Sequence, residues 1–332
     1  MRAAFLDSPS ASETPLTLRE ATDPRPGTGE VLVEVLACAV CRTDLQICRG
    51  DLTPHRSPVI PGHQIVGRVL EIGEGVLHPR LGERVGVAWL ASTDGACPQC
   101  RRGRENLCEA ARFTGWDVDG GYATRAVARA DFTFALPERF DDLQAAPLLC
   151  GGVIGYRALL RSGIQPGGRL GLYGFGASAH LAIQVARFWG CRVFVATRSL
   201  EEQRRAMALG AEWSGGALER PPEPLDAAVT FAPVGSVVRA ALQALAPGGT
   251  VAINAIHLDG IPALPYAELW RERGIVSVAN FTREDARAFL DLAGRIPVEV
   301  TFEARPLEQA NQALVRLERG EVDGAAVLQP TQ

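Results

Sequence analysis

Three short segments far apart in the chain carry side chains suited to metal chemistry: Cys41-Arg42-Thr43-Asp44, Gly62-His63-Gln64 and Pro147-Leu148-Leu149-Cys150. Thiols and an imidazole are the groups that take zinc. Read singly, each has a plainer role, because a lone cysteine is usually a small buried hydrophobe and a lone histidine a satisfied polar residue. Further thiols stand at Cys97, Cys100 and Cys108. A separate pattern, Gly174-Phe175-Gly176-Ala177-Ser178-Ala179, has the spacing of a phosphate-cradling turn. Gly174 permits the tight turn, Gly176 lets backbone approach a pyrophosphate, and the small Ala179 allows close packing of helix on strand. Its bland alternative is a turn that merely joins two elements.

Context strengthens the glycine pattern. An apolar strand over 169–173 runs directly into it, helical periodicity follows over 177–189, and a second strand covers 192–196, which makes a βαβ unit. The helix N-terminus would offer free N–H groups to phosphates. The pattern recurs with a strand over 227–230, a helix over 237–244, a turn at Pro247-Gly248-Gly249 and a strand over 251–253, predicting a parallel doubly wound sheet. The strand over 192–196 ends in Ala196-Thr197-Arg198-Ser199. It has no acid to accept from a ribose 2′-OH, whereas Arg198 with the Thr197 and Ser199 hydroxyls suits a 2′-phosphate, so NADP(H) is expected over NAD(H). The alternative is that Arg198 is a solvated surface cation and that NAD, or both dinucleotides, serve.

The N-terminal third has a different texture. Apolar alternation over 31–36, 65–70 and 84–87, punctuated by Pro24, Pro26, Gly27, Pro58, Pro61, Gly62, Gly73 and Gly75, reads as a loop-rich β domain. A strand over 297–302 and a helix over 307–317 are assigned back to it. The expected division is therefore 1–148 with 282–332, and 149–281.

At 332 residues the chain exceeds what one core usually serves. A net charge of −4 supplies no basic field, which argues against nucleic acid and for a small-molecule partner. The start, Met1-Arg2-Ala3-Ala4-Phe5-Leu6-Asp7, meets an acid before a signal-length apolar core develops, and no long apolar run is read, so no membrane and a cytoplasmic location are expected. Eight cysteines are too sparse for a disulfide scaffold, which predicts reduced thiols; Cys38, Cys48 and Cys191 read as buried hydrophobes.

Taken together with Asp119-Gly120-Gly121-Tyr122-Ala123 and Ala146-Pro147-Leu148-Leu149-Cys150, these segments closely resemble the zinc-containing alcohol dehydrogenases of the medium-chain dehydrogenase/reductase superfamily, through essentially the whole chain. The resemblance implies an α/β plus β architecture, a GroES-like catalytic domain with an inserted Rossmann domain. It implies hydride transfer between a small alcohol or aldehyde and NAD(P). A catalytic zinc would lie on Cys41, His63 and Cys150, with Asp44 orienting His63, Thr43 linking the substrate oxygen to the cofactor ribose and passing its proton on, and Arg42 contacting the pyrophosphate. The family's structural-zinc lobe is spaced Cys-x2-Cys-x2-Cys-x7-Cys; Cys97, Cys100 and Cys108 fit its last three places and Asp94 its first. The alternative is a lobe that has lost its metal. Trp89 or Leu90 and Trp116 would line the substrate pocket, with core packing as their other reading, and a homo-oligomer, dimer or tetramer, would form through an edge strand near 275–279.

Two positions depart from the family pattern. Gln64 stands where relatives have a glutamate that exchanges at the metal, which predicts slower or altered ligand exchange. Gln46 stands where many have a relay histidine; an amide does not titrate, so the proton would leave through the ribose hydroxyl and water. The competing readings are a zinc-free enone or quinone reductase on the same fold and a non-catalytic nucleotide-binding protein.

Overall fold

In the computed structural model, which describes residues 1–330, the N-terminal alternation becomes β1 (Arg2–Leu6), β2 (Leu16–Glu20), β3 (Glu30–Ala39), β4 (Ile65–Ile72), β5 (Arg84–Val87), β6 (Leu90–Ser92), β7 (Arg112–Phe113), β8 (Arg125–Arg129) and β9 (Thr133–Ala135), with helices α1 (Arg42–Arg49) and α2 (Asp142–Ala145). Helix and strand then alternate: α3 (Gly151–Ser162), β10 (Arg169–Tyr173), α4 (Ala177–Phe188), β11 (Arg192–Ala196), α5 (Leu200–Ala208), β12 (Trp213–Gly215), β13 (Leu225–Thr230), α6 (Gly235–Ala244), β14 (Leu245–Ile253), α7 (Tyr266–Leu269) and β15 (Gly274–Ser277). The chain closes with α8 (Arg283–Arg295), β16 (Phe302–Pro306), α9 (Ala310–Arg319) and β17 (Ala325–Gln329).

Residues 1–150, 280–294 and those from 300 onward form one unit, and 151–279 with 295–299 the other. The segment 295–299, read from sequence with the tail, packs in the second unit because the Gln184 side chain both donates to the Glu299 carbonyl and accepts from its amide, at 2.9 and 2.8 Å.

In the first unit the main sheet runs β16-β17-β3-β4-β5-β9, with β8 also on β3. Val31, Val33, Val69 and Val85 interlock on one face as a small core; burying each such side chain contributes roughly 1.5–3 kcal/mol. β3 and β4 are antiparallel with Cys38 opposite Ile65. The end of β3 and the start of β4 are therefore neighbours, and Cys41 and His63 lie just beyond them.

In the second unit the order is β12-β11-β10-β13-β14-β15, every pair parallel. Leu170, Leu172, Val193, Val195, Ala227 and Val229 are fully buried, as expected of strands covered on both faces. Strand order reverses between β10 and β13, and β10 ends on Tyr173, immediately before Gly174. That switch point is where such sheets take their ligands.

Three local expectations need correction. The strand expected over 297–302 lies at Phe302–Pro306; Ile296 and Val298 alternate like a strand but form a tight turn, the Val298 amide donating to the Ile296 carbonyl at 2.8 Å. Pro306 ends β16 and precedes a 3-10 turn, Leu307–Gln309, so the last helix starts late, at Ala310. The Pro247-Gly248-Gly249 turn is taken up inside β14, where the pairing shifts register against β13. The stretch Asp142–Ser162 is long and apolar enough by length and composition to cross a membrane, as mostly buried core helices also are; it carries Asp142, Arg157 and Arg161 and comprises α2, a 3-10 turn (Ala146–Leu149) and α3.

Candidate active site

Cys41 is the N-cap of α1, and three residues on Asp44 reaches back to accept the Cys41 amide at 2.8 Å. Asp44 is fully buried, and its two oxygens accept three more hydrogen bonds: Oδ2 from the Tyr122 hydroxyl at 3.1 Å, Oδ1 from the Gly62 amide at 3.3 Å and from His63 Nδ1 at 3.0 Å. Four donors satisfy a carboxylate that would otherwise be costly to bury. Because Nδ1 donates to Asp44, Nε2 is the nitrogen that can offer a lone pair to a cation once it gives up its own proton. Gly62 makes the arrangement possible: at φ 95°, a Cβ there would fall 2.4 Å from the Tyr122 ring. Tyr122 has no assigned role in the sequence reading; its only signal is the Asp-Gly-Gly-Tyr-Ala motif.

Cys150 follows the 3-10 turn of Ala146–Leu149. Leu149 seats that turn on β5 over Gly86, where any Cβ would come within 2.6 Å of a Leu149 methyl. The ligand atoms of Cys41, His63 and Cys150 all lie within 4.8 Å of one another, the two sulfurs 3.9 Å apart, and the buried Thr43 hydroxyl is 3.7 Å from the Cys41 sulfur. The hydrogen bond from Cys150 holds the Cys41 thiol well below its ordinary range, against the opposing pull of burial and with help from His63, while the same hydrogen bond and burial push Cys150 up. Burial alone would lower His63, but Asp44 and the Cys41 thiolate outweigh it and lift the imidazole to about 10. Such a set, two sulfurs and a buried, oriented imidazole gathered within 4.8 Å, fits a divalent cation of zinc's preferences.

Beside the triad the Trp89 ring meets His63 edge-on at 4.8 Å and stacks on Phe113 at 5.1 Å and Trp116 at 5.9 Å. Trp116 also stacks on His55 at 4.2 Å, and its Nε1 donates to the Thr53 carbonyl at 2.8 Å. Leu90, the other candidate, is fully buried in β6 and belongs to the core. Phe113 and His55 join this aromatic wall without having been singled out in the sequence. Gln64 is buried, its amide donating to the Ala39 carbonyl at 3.2 Å. Gln46 is half-buried on α1.

Asp94, Cys97, Cys100 and Cys108 likewise bring four ligand atoms within 4.8 Å of one another. Asp94 Oδ1 accepts from the Ala96 and Cys97 amides, each at 2.9 Å, which leaves Oδ2 for a cation. The Cys97 and Ala96 amides pull the Asp94 carboxyl down to about 2, and the Cys100 amide lowers Cys97, whereas burial pushes Cys100 up to about 11. The donor set is that of a tetrahedral zinc site.

In the second unit Gly174 adopts φ 85°, and a Cβ there would fall 2.9 Å from the Ala232 amide nitrogen. Gly176 caps α4 with no side chain over its first amides, and a Cβ at that position would meet nothing within 4 Å. Open backbone at a helix N-terminus fits a pyrophosphate. Ala179 is fully buried in α4. β11 pairs with β10 and delivers buried Thr197 and exposed Arg198 and Ser199, Ser199 capping α5 by accepting the Glu202 amide at 3.3 Å. Arg42 is exposed at the first position of α1, in the first unit.

The family model of the alcohol dehydrogenase GroES-like domain matches residues 27–138. The chain is 53% identical to the protein named Probable alcohol dehydrogenase AdhA of Mycobacterium tuberculosis (strain CDC 1551 / Oshkosh), over 92% of this chain and 90% of that one. It is 35% identical to an alcohol dehydrogenase of Geobacillus stearothermophilus over 94% and 95% of the two chains. A Sinorhizobium meliloti 1021 dehydrogenase, described as zinc-binding and solved bound to NADP, superposes with a TM-score of 0.87 at 26% identity, covering 99% of each chain.

Proposed function

The chain belongs to the zinc-type alcohol dehydrogenases of the medium-chain dehydrogenase/reductase superfamily, and from that premise we propose that Cys41, His63 and Cys150 hold its catalytic zinc and that NADP(H) is its preferred dinucleotide. The observation that carries the first part is the gathering of the three ligand groups within 4.8 Å around an imidazole already oriented by Asp44. Zinc bound there supplies Lewis acidity toward an alcohol or carbonyl oxygen, which favours loss or gain of hydride at the adjoining carbon.

Every other task falls to the chain. Asp44 keeps the proton of His63 on Nδ1 and so leaves Nε2 for the ligand role. The Thr43 hydroxyl, buried beside Cys41, can hold the substrate hydroxyl proton and hand it toward the ribose; Gln46 cannot take it up, which leaves water as the acceptor. Trp89, Phe113 and Trp116 offer flat faces that favour flat or small substrates. Gly174, Gly176 and Ala179 receive the pyrophosphate. Arg198, Thr197 and Ser199, with no acid at the end of β11, favour a 2′-phosphate, and the NADP bound to the Sinorhizobium relative supports that preference. Asp94, Cys97, Cys100 and Cys108 hold a second, structural zinc. The edge position of strand β15 and the exposed Tyr266 and Trp270 nearby mark the surface through which a homo-oligomer, dimer or tetramer, would form.

The test combines metal analysis with an activity panel of primary, secondary and aromatic alcohols and aldehydes, run with both dinucleotides, with and without chelator. Two zinc ions per chain, chelator-sensitive turnover and a higher kcat/KM with NADP(H) are expected. Protein that turns over at full rate without zinc overturns the assignment of the triad, and equal or better use of NAD(H) overturns the cofactor preference.

A further inference from the structure

His180 and Glu202 make a pair that the proposed chemistry does not use. His180 follows Ala179 in α4 and is 8% exposed; its ring lies 4.8 Å from that of Phe175 in the glycine turn, and its Nε2 is 2.8 Å from Glu202 Oε2 in the first turn of α5. Ser199-x-x-Glu202 is the signature of a reciprocal cap, in which the acid at the third helical position folds back onto the amide of the capping residue. Helices α1 and α2 both close that way, Asp44 accepting the Cys41 amide at 2.8 Å and Gln144 the Asp141 amide at 3.1 Å. In α5 only half of the cap forms: Ser199 Oγ accepts the Glu202 amide, and the carboxylate goes to His180 instead. The Ser199 amide and the Arg198 guanidinium have no partner among the described residues.

We propose that His180 is a positioning residue for cofactor specificity: by holding the Glu202 carboxylate against α4 it keeps that charge off Arg198 and the Ser199 amide, leaving both donors to the 2′-phosphate of NADP(H). This rests on the reading that NADP(H) is the preferred dinucleotide. A carboxylate released from His180 would occupy the donors that the phosphate needs, and affinity falls in proportion to the fraction of molecules in which they are taken. NADH, which has no 2′-phosphate, gains nothing from those donors being free. The carboxylate is thus a built-in competitor, and His180 is what keeps it away.

The experiment is a fluorescence titration of the zinc-loaded enzyme with NADPH and NADH in the wild type, His180→Ala, Glu202→Ala and the double variant. His180→Ala should weaken NADPH binding about tenfold, the effect of a site occupied nine parts in ten, with NADH unchanged or tighter. Glu202→Ala should keep the wild-type preference, and the double variant should recover it. His180→Phe keeps packing against Phe175 but cannot hold Glu202, so it should show the same loss and serves if the alanine variant does not fold. A wild type that binds NADH as tightly as NADPH overturns the cofactor reading and this inference together. A wild type that prefers NADPH, with His180 variants that weaken both dinucleotides alike or a double variant no better than His180→Ala, overturns the positioning role alone.

Discussion

Asp44 shows how much of the site rests on one buried side chain. It caps α1, fixes the tautomer of His63 and takes the Tyr122 hydroxyl, so Cys41 and His63 are positioned by the same two oxygens. Asp44→Asn replaces one acceptor by a donor that must face a donor. Zinc retention should fall about 10–100-fold, read by competition with a chromophoric chelator. Gln64 has a role the sequence did not disclose. Its amide donates to the Ala39 carbonyl at 3.2 Å, two residues before Cys41. Gln64→Glu would set a carboxylate against that carbonyl, and a melt should show a loss of about 1–3 kcal/mol, the usual cost of an unsatisfied buried pair. The same variant should exchange zinc faster in an isotope-exchange assay, and unchanged exchange and turnover would overturn the role assigned to Gln64.

At the scale of elements, the cysteine lobe is held by a contact distant in sequence. Glu105 accepts from the Arg283 guanidinium at 2.7 Å and from the Arg283 amide at 2.7 Å, which ties the lobe to the start of α8. The same guanidinium lies 4.3 Å over the Phe132 ring. Arg283→Ala should cost about 1.5–3 kcal/mol, the worth of hydrogen bonds to a charged group. It should also speed proteolytic cleavage within the lobe while leaving zinc at the catalytic triad, as read by limited proteolysis and metal analysis. Neither the partner nor the geometry was legible from periodicity, because a salt bridge across 178 positions leaves no local pattern. The Rossmann elements were legible for the opposite reason: fully apolar strands and amphipathic helices are set by burial within a few neighbouring residues. The tail was misplaced where apolar alternation at Ile296 and Val298 imitated a strand.

Across the whole molecule, several carboxyls lie below their ordinary range because arginines face them. Arg169 holds down Asp226 and Arg316 holds down Glu303, while burial opposes Arg283 at Glu105 without cancelling its effect. A carboxyl depressed in the folded state stabilises the fold fully above its unfolded value, near 4 to 4.5, and that contribution is lost as pH falls through the folded value. Thermal melts from pH 7 downward should therefore be level at first and drop below about pH 4.5. Glu105→Gln should melt lower at pH 7 and show a shallower acid limb, because one of the responsible protons is gone.

The sequence by itself determined the strands and helices on either side of the switch point in the cofactor-binding unit (β10, α4, β11, β13, α6 and β14), though not α5 or β12, together with the phosphate turn and the identity of the thiols and imidazole able to take metal. These depend on residue type and short-range spacing. It also exposed Asp94, Gln46 and Gln64 as departures from the family pattern. Only the tertiary structure decided that Cys41, His63 and Cys150 meet, since 109 positions between the two cysteines are closed by the pairing of β3 with β4 and by a turn seated on Gly86. It alone disclosed the fourfold hold on Asp44, the choice of Trp89 over Leu90 beside His63, and the diversion of Glu202 to His180. Each of these is a contact between side chains whose positions follow from sheet register and packing, and no local propensity encodes them.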